Sequence, residues 1–224
     1  MSKLDQPTAT PPVVDRARFE EALADQVAAE KEVTRHNDRV SASRRRLPMV
    51  EVEDYAFAAP EGPVRLSELF GDGYLLLVQN VMFGPDWDEG CPSCTWAVDN
   101  LPANMARVAD EGIAFAMVSH APVAELEEWR ARRGWQHRWV SSHDTTYHWD
   151  WGWTQLADDG SQVLHPGYSY YLLSGGKPYL TYTTRARGTE AVLATAHIMD
   201  RTVYGRQQDW EDSPRGWPQE PTYG

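Results

Sequence analysis

Apolar side chains recur with a helical period along the first part of the chain. Between residues 15 and 47 they fall within an arc of about 160° on a helical projection, and most other positions are charged. The apolar positions are Phe19, Leu23, Val27, Val33, Val40 and Leu47. No glycine or proline interrupts the segment, so the pattern predicts one long amphipathic helix. Its apolar side is expected to lie on the body of the same domain or on a second subunit, which would make the protein a homodimer.

The middle of the chain alternates between strand and helix patterns. Residues 74–82 form an apolar run that predicts a strand buried on both faces of a sheet. Residues 113–118 predict a second buried strand, and residues 139–141 predict a short third one. A helix is predicted between these two strands, at residues 122–133, with Gly134 ending it.

The helix between the first two strands is predicted from apolar residues spaced by four and three. They are Cys94, Val98, Leu101, Met105 and Val108. Pro102 lacks a backbone N–H and is expected to kink this helix, and Gly112 is expected to close it.

The last third of the chain predicts a hairpin and a helix. Residues 168–173 and 179–183 alternate around the turn at 174–177, and residues 189–199 have helical spacing. The order strand, helix, strand, helix, strand, then hairpin and helix is the thioredoxin topology. The predicted fold class is therefore α/β, with a thioredoxin-like mixed β-sheet flanked by helices.

Four regions follow from this pattern. We expect a disordered leader at 1–14, a helical extension at 15–47 and a thioredoxin-like domain at 48–200. Residues 201–224 are rich in proline and aromatic residues, and we expect this irregular tail to pack on the domain.

Composition narrows the classes of function. With 42% hydrophobic and 24% charged residues, the chain of 224 residues can bury a core. The net charge of −12 argues against binding to nucleic acid or to anionic membranes, and the short run Arg44-Arg45-Arg46 does not reverse it. The polar N-terminus lacks the apolar segment of a secretion signal, and no apolar stretch reaches membrane-spanning length. We therefore expect a soluble cytoplasmic protein.

The two cysteines are the residues that point most directly to chemistry. They occur as Cys91-Pro92-Ser93-Cys94, between the first buried strand and the helix that follows it, and the chain has no others. A C-x-x-C at this position is the thioredoxin-type redox arrangement. A zinc site made of four thiolates is excluded because there is no second cysteine pair. The pair therefore forms a redox-active disulfide, recruits histidines to bind a metal, or consists of inert buried thiols.

The redox interpretation assigns a role to each cysteine. Cys91, at the helix N-terminus, is the nucleophile, and Cys94 resolves the mixed disulfide. The helix dipole lowers the pKa of the first thiol by roughly one unit, whereas Asp86, Asp88 and Glu89 oppose it. We therefore expect only a modestly acidic Cys91 thiol and a reducing site. Peroxidase chemistry is disfavoured because Thr95 follows the cysteines, whereas the peroxiredoxin pocket has a threonine before its cysteine.

Three further residues are predicted to border a groove for the substrate. In the thioredoxin fold a cis-proline starts the strand beside the dithiol, and Pro166 is the only candidate in that place. We expect Trp87 and His120 to border the same groove. The leading interpretation needs no cofactor, and its substrate is a disulfide or thiol of a protein or small molecule.

The alternative is a copper or zinc site. Its ligands would be the two cysteines with imidazoles: Cys91, Cys94, His120, His143 and His148. The two later histidines lie in an aromatic stretch at 143–153. Their simpler interpretation is hydrogen bonding to solvent or backbone, and that of the tryptophans is core packing or a dimer surface.

Residues 15–224 resemble a bacterial thioredoxin-like family known as domain of unknown function 899. The resemblance depends on the long motif from Met82 to Cys94 and is supported by residues 118–122, 134–142 and 205–207. It implies a thioredoxin fold and a dithiol site, and it implies no particular substrate. The chain departs from the family pattern at His120, where a basic residue is usual. It also departs in the stretch that contains His143 and His148, where the family usually has tyrosine and asparagine.

Overall fold

The computed structural model describes residues 7–85, 87–102 and 104–221. Residues 1–6 of the leader predicted at 1–14, Asp86, Ala103 and residues 222–224 of the tail therefore lie outside the described residues. Two compact units are distinguished by their internal contacts. One spans Pro48–Thr195, and the other combines the segment up to Leu47 with the segment from Ala196.

Ten strands and six α-helices make up the described structure. The strands are β1 Val50–Glu51, β2 Ala56–Ala59, β3 Gly62–Arg65, β4 Leu75–Asn80, β5 Ile113–Ser119, β6 Trp139–Ser141, β7 Thr154–Leu156, β8 Gln162–Leu164, β9 Gly167–Ser174 and β10 Lys177–Arg185. The α-helices are α1 Arg16–Arg44, α2 Pro92–Asp99, α3 Ala106–Ala109, α4 Val123–Arg133, α5 Tyr147–Asp150 and α6 Ala194–Met199. Two 3-10 helices cover Leu66–Phe70 and Ala186–Val192.

The larger unit is built on one mixed sheet of eight strands in the order β1-β10-β9-β4-β5-β6-β2-β3. The three central strands β4, β5 and β6 run parallel, and all other neighbours in this sheet are antiparallel. β7 and β8 form a separate two-stranded sheet. Because the three parallel strands are joined by helical crossovers and followed by the β9–β10 hairpin, the predicted thioredoxin-like α/β fold is confirmed.

Each face of the sheet has its own hydrophobic core. Successive strand residues point to opposite faces, so Met117 and Val118 belong to different clusters. The Val118 cluster also contains Tyr147 and Trp153. The Met117 cluster contains both cysteines, which places the dithiol on that face of the sheet.

The helix predicted after the cysteines is broken, not kinked. α2 ends at Asp99 and α3 begins at Ala106. Pro102 explains the break, since proline lacks the N–H that continues a helix and disfavours helical backbone in the residue before it. The predicted final helix is also divided, because Leu193 is extended (φ −104°, ψ 92°) and its side chain is buried.

The smaller unit contains α1 and the C-terminal segment. Asp15 caps α1 by accepting a hydrogen bond from the Arg18 N–H at 2.9 Å. No residue of α1 is buried among the residues that the structure describes, so its apolar stripe is exposed there. In the C-terminal segment the buried Arg206 guanidinium binds Asp200 at 2.7 Å. None of the described helices is both long and apolar enough to cross a membrane.

Candidate redox site

The backbone after β4 positions both cysteines. Cys91 is the N-cap of α2, and Pro92 takes the first helical position, where its missing N–H costs nothing. The Cys91 N–H donates to the Met82 carbonyl oxygen at 3.0 Å. The Met82 N–H in turn points to the Cys94 sulfur at 3.4 Å. Met82, which lies just beyond the carboxyl end of β4, therefore holds both cysteines through its backbone.

The two thiols are reduced and interact with each other. Cys91 and Cys94 are free and lie 3.7 Å apart. Cys91 is 7% exposed and Cys94 is 4% exposed. The Ser93 hydroxyl lies 3.1 Å from the Cys91 sulfur. This separation allows a disulfide to form with a small movement of the side chains.

The environment makes the two thiols unequal. The hydrogen bond from the Cys94 thiol lowers the pKa of Cys91 to about 5, with help from Ser93 and against the effect of burial. The same hydrogen bond, burial and the nearby Cys91 charge raise the pKa of Cys94 well above its ordinary value. The Cys94 thiol, which the expectation from the helix dipole left out, is the largest cause of the lower Cys91 pKa, and the reducing character of the site stays a prediction.

The acidic residues before the dithiol are exposed. Asp88 and Glu89 lie on the surface, and neither forms an ion pair within the part of the chain that the structure describes. The Arg132 side chain donates to the Asp88 carbonyl oxygen at 3.4 Å and lies 4.9 Å from the centre of the Trp129 ring. Trp87 is 40% exposed beside these acids.

Aromatic residues fill the core behind the cysteines. The buried rings in this cluster are Phe83, Trp129, Trp135 and Trp139. Phe83 contacts Trp129 and Trp139 with ring centres 6.3 Å and 6.1 Å apart. These tryptophans are therefore core residues, in agreement with the simpler of the two interpretations.

Pro166 lies at the expected edge but in the trans form. It directly precedes β9, whose first residue Gly167 faces Asn80 at the end of β4. None of the described peptide bonds is cis, so the candidate Pro166 is in the trans form. A proline at a strand start is compatible with either isomer, because it has no N–H to donate to the neighbouring strand.

Tyr168 is a site residue that the sequence pattern did not single out. It faces Gln79 across β4 and β9, on the same face as the dithiol. Its hydroxyl is buried and has no hydrogen-bond partner among the described residues. Burial raises the pKa of Tyr168 far above its usual range, and the charges of Tyr170 and Cys94 act in the same direction. Only the strand register brings this phenol close to Cys94.

The three predicted histidines come together at the carboxyl end of β5. The His120 ring lies 5.9 Å from His143 and 5.6 Å from His148, measured between ring centres. His143 Nδ1 lies 3.2 Å from the His120 carbonyl oxygen, and His148 Nδ1 contacts the Ser142 hydroxyl. Burial lowers the pKa of His148 to about 3, and His120 adds to the effect.

The proposed metal ligands are not gathered into one site. Among the described residues, no group of three or more His, Cys, Asp and Glu side chains is arranged to hold a metal ion. Both cysteines belong to the Met117 cluster, and the histidines are grouped around the end of β5. The geometry therefore gives no support to the copper or zinc alternative.

Comparisons with known proteins identify a family and a fold. A model of DUF899, a bacterial protein family of unknown function, matches residues 8–223. None of the curated proteins matches the chain. Among solved structures, the peroxidoxin BcpB of Mycobacterium tuberculosis has 16% identity and a TM-score of 0.50, covering 68% of this chain and 97% of its own.

Two further structures are of the same kind. A cysteine mutant of Xylella fastidiosa PrxQ has 11% identity and a TM-score of 0.50, covering 68% of this chain and 94% of its own. Xanthomonas campestris peroxiredoxin Q has 22% identity and a TM-score of 0.47, covering 63% of this chain and 89% of its own. At these identities the similarity is one of fold.

Proposed function

We propose that this chain, which belongs to the DUF899 family of bacterial proteins, is a thiol–disulfide oxidoreductase. The observation that carries the proposal is the unequal pair of thiols at the start of α2. At neutral pH a Cys91 pKa of about 5 keeps this sulfur in the thiolate form, while Cys94 keeps its proton. A thiolate beside a protonated partner is the arrangement that attack on a disulfide requires.

The first step forms a mixed disulfide. The Cys91 thiolate attacks one sulfur of the substrate disulfide, a new S–S bond forms, and the second substrate sulfur leaves as a thiolate. Once Cys91 is bonded, it no longer accepts the hydrogen bond of Cys94. The pKa of Cys94 then falls, because that hydrogen bond is the largest cause of its increase.

The second step releases the substrate. Cys94 loses its proton, which balances the proton taken up by the departing thiolate, and attacks the Cys91 sulfur. The Cys91–Cys94 disulfide forms and the remaining substrate sulfur leaves. Two electrons have passed from the dithiol to the substrate. We propose Trp87 and Pro166 as the border of the groove where the substrate lies, and the part of His120 in that groove stays a prediction.

Peroxide reduction by the same pair is the second candidate. It is favoured by the likeness in fold to peroxidoxin BcpB and by a resolving thiol 3.7 Å from the nucleophile. In this case the Cys91 thiolate attacks a peroxide oxygen and the O–O bond breaks. The sulfur becomes a sulfenic acid, and the second oxygen leaves as hydroxide or alkoxide and takes up a proton to give water or an alcohol. Cys94 then displaces water and forms the disulfide. The metal-dependent alternative stays a prediction without geometric support.

Trapping separates these chemistries. The Cys94→Ser variant is expected to accumulate a mixed disulfide at Cys91 with a model disulfide, and Cys91→Ser is expected to lose turnover completely. Both species are read by intact-protein mass spectrometry. The same Cys94→Ser protein treated with peroxide would instead carry one added oxygen if peroxide is the substrate. Turnover that survives in Cys91→Ser would contradict both redox proposals.

A further inference from the structure

The loop that precedes Cys91 presents charge without a partner. Asp88 and Glu89 are exposed, and no cation of the described chain forms an ion pair with either carboxylate. The neighbouring acids are different, since Asp99 is paired with Arg133 and Glu128 with Arg132 at 3.5 Å. Negative charge therefore remains uncompensated three and two residues before the nucleophile.

An exposed aromatic ring stands in the same loop. Trp87 is 40% exposed, directly before the two acids, and packs against Gly84. An accessible indole face attracts cations through its quadrupole, and a carboxylate attracts them through its charge. Two independent features of this loop thus select for the same kind of group.

We infer that the preferred disulfide partner of this site carries positive charge near its sulfur atoms, held by Trp87, Asp88 and Glu89. This inference depends on the proposed function, because it concerns which disulfide Cys91 attacks. A cationic polypeptide segment or amine-bearing disulfide fits the loop, and an anionic disulfide is repelled. Arg132 does not reverse this preference, since its guanidinium is engaged by Glu128, the Asp88 carbonyl oxygen and the Trp129 ring.

The test uses three small disulfides that differ in charge. The reduced full-length protein is mixed with cystamine, which is cationic, with hydroxyethyl disulfide, which is neutral, and with dithiodipropionate, which is anionic. Second-order rate constants are measured for the wild type and for the double variant Asp88→Asn/Glu89→Gln. For each probe the rate constant of the variant is divided by that of the wild type, so the probe's intrinsic reactivity cancels.

The expected result is a change of opposite sign for the two charged probes. Relative to the neutral probe, removal of the two acids should slow cystamine by about fivefold and accelerate dithiodipropionate, at low ionic strength. In about 1 M salt, where the Debye length is about 3 Å, both effects should shrink toward zero. Trp87→Ala should slow cystamine more than the neutral probe.

A matched control separates this loop from the net charge of the whole protein, which is −12. Asp72 and Glu111 are exposed acids at the amino ends of β4 and β5, at the edge of the sheet opposite the dithiol. Asp72→Asn/Glu111→Gln makes the same change in total charge and should leave the three rate ratios unchanged.

Each outcome decides one claim. No reaction with any of the three probes would contradict the proposed function itself. Reaction with all three probes, with equal ratios in the wild type and in Asp88→Asn/Glu89→Gln, would overturn the inference and leave the oxidoreductase proposal intact. A control variant that changes the ratios as strongly as the loop variant would also overturn it.

Discussion

At the residue scale, the reactivity of the site depends on one hydrogen bond between two cysteines. A single thiol at a helix N-terminus has its pKa lowered by roughly one unit through the dipole alone. Here the pKa of Cys91 falls to about 5, and the Cys94 thiol is the first cause. Each cysteine therefore determines the protonation of the other, so a substitution at one cysteine should change the pKa of the other.

The pH dependence of Cys91 alkylation tests this coupling. In the wild type the rate of reaction with iodoacetamide should rise with a midpoint near pH 5, since the thiolate is the reactive form. Cys94→Ala removes the donor, so the midpoint should move to higher pH. Cys94→Ser keeps a hydroxyl donor and should move it less. Equal midpoints in the three proteins would show that the hydrogen bond has no such role.

His148, in α5, is a second group whose pKa is strongly shifted in the folded protein. Its pKa is lowered to about 3 in the folded protein by burial and by His120, whereas an unfolded histidine titrates near 6.5. Below pH 6.5 the unfolded chain takes up a proton that the folded chain refuses. The free energy of unfolding should therefore fall as pH drops from 6.5 toward 3, by at most about 1.4 kcal/mol per pH unit from this group.

Urea denaturation at several pH values measures that slope. His148→Gln should flatten the loss of stability between about pH 6 and pH 4. His197→Gln, at an exposed position, is the matched control and should keep the slope of the wild type. Parallel pH profiles for all three proteins would show that His148 does not cause the loss of stability at low pH.

At the scale of elements, the packing of β9 requires a glycine, Gly167, at its first position. A Cβ on Gly167 would overlap the Thr184 carbonyl oxygen and would lie 2.7 Å from a Trp153 ring carbon. Gly167→Ala should therefore lower the free energy of unfolding by about 1–3 kcal/mol, the usual cost of overpacking. Ser174→Ala, at the exposed far end of the same strand, should have little effect in the same denaturation experiment. A stability equal to that of the wild type would mean that β9 moves aside freely.

The elements that the sequence predicts well are those with a local signal. The apolar runs at 74–82 and 113–118 correspond to β4 and β5, and Gly134 ends α4 in the left-handed conformation with φ of 70°. Each of these depends on residues close in sequence. Hydrophobic period and glycine backbone freedom are therefore sufficient to place them.

The short helix α5, which the sequence pattern does not predict, depends on distant contacts. It lies within the aromatic stretch at 143–153, where Tyr147 packs its ring 5.4 Å from Tyr55 and 5.2 Å from Phe57. No local sequence signal indicates these two partners, which lie about ninety residues away. The β7–β8 hairpin is also not predicted, although its strands are close in sequence.

The candidate site also has a part that the sequence predicts and a part that it does not. Four consecutive residues are sufficient to predict the cysteine pair and the position of Pro92. The strength of their coupling, the trans form of Pro166 and the position of Tyr168 depend on atoms brought together by the sheet. The assembly of His120, His143 and His148 also needed the end of β5 to meet α5, so the sequence could suggest these residues but not their contacts with one another.

At the scale of the whole molecule, α1 raises the question of assembly. It has 29 residues, none of them buried, with Phe19 57% and Val33 58% exposed. Isolated helices owe little stability to their own hydrogen bonds, and packing usually supplies the rest. The homodimer through α1 stays a prediction. Light scattering should then give about twice the monomer mass of 25.4 kDa.

Two substitutions locate the interface. Val33→Asp places a charge in the apolar stripe and should return the mass to that of a monomer. Ala28→Asp places the same charge on the opposite side of α1 and should leave the dimer intact. A wild-type protein that remains monomeric at the highest accessible concentration would contradict the prediction.

A redox titration decides whether Cys91 and Cys94 form a reversible redox pair without a metal. The full-length protein is equilibrated in graded thiol/disulfide buffers, with and without a chelator, and its thiols are trapped and counted by mass spectrometry. We expect a single two-electron transition with a midpoint between about −120 and −270 mV, unchanged by the chelator. Thiols that never pair, or that pair only after chelation, would rule out such a pair.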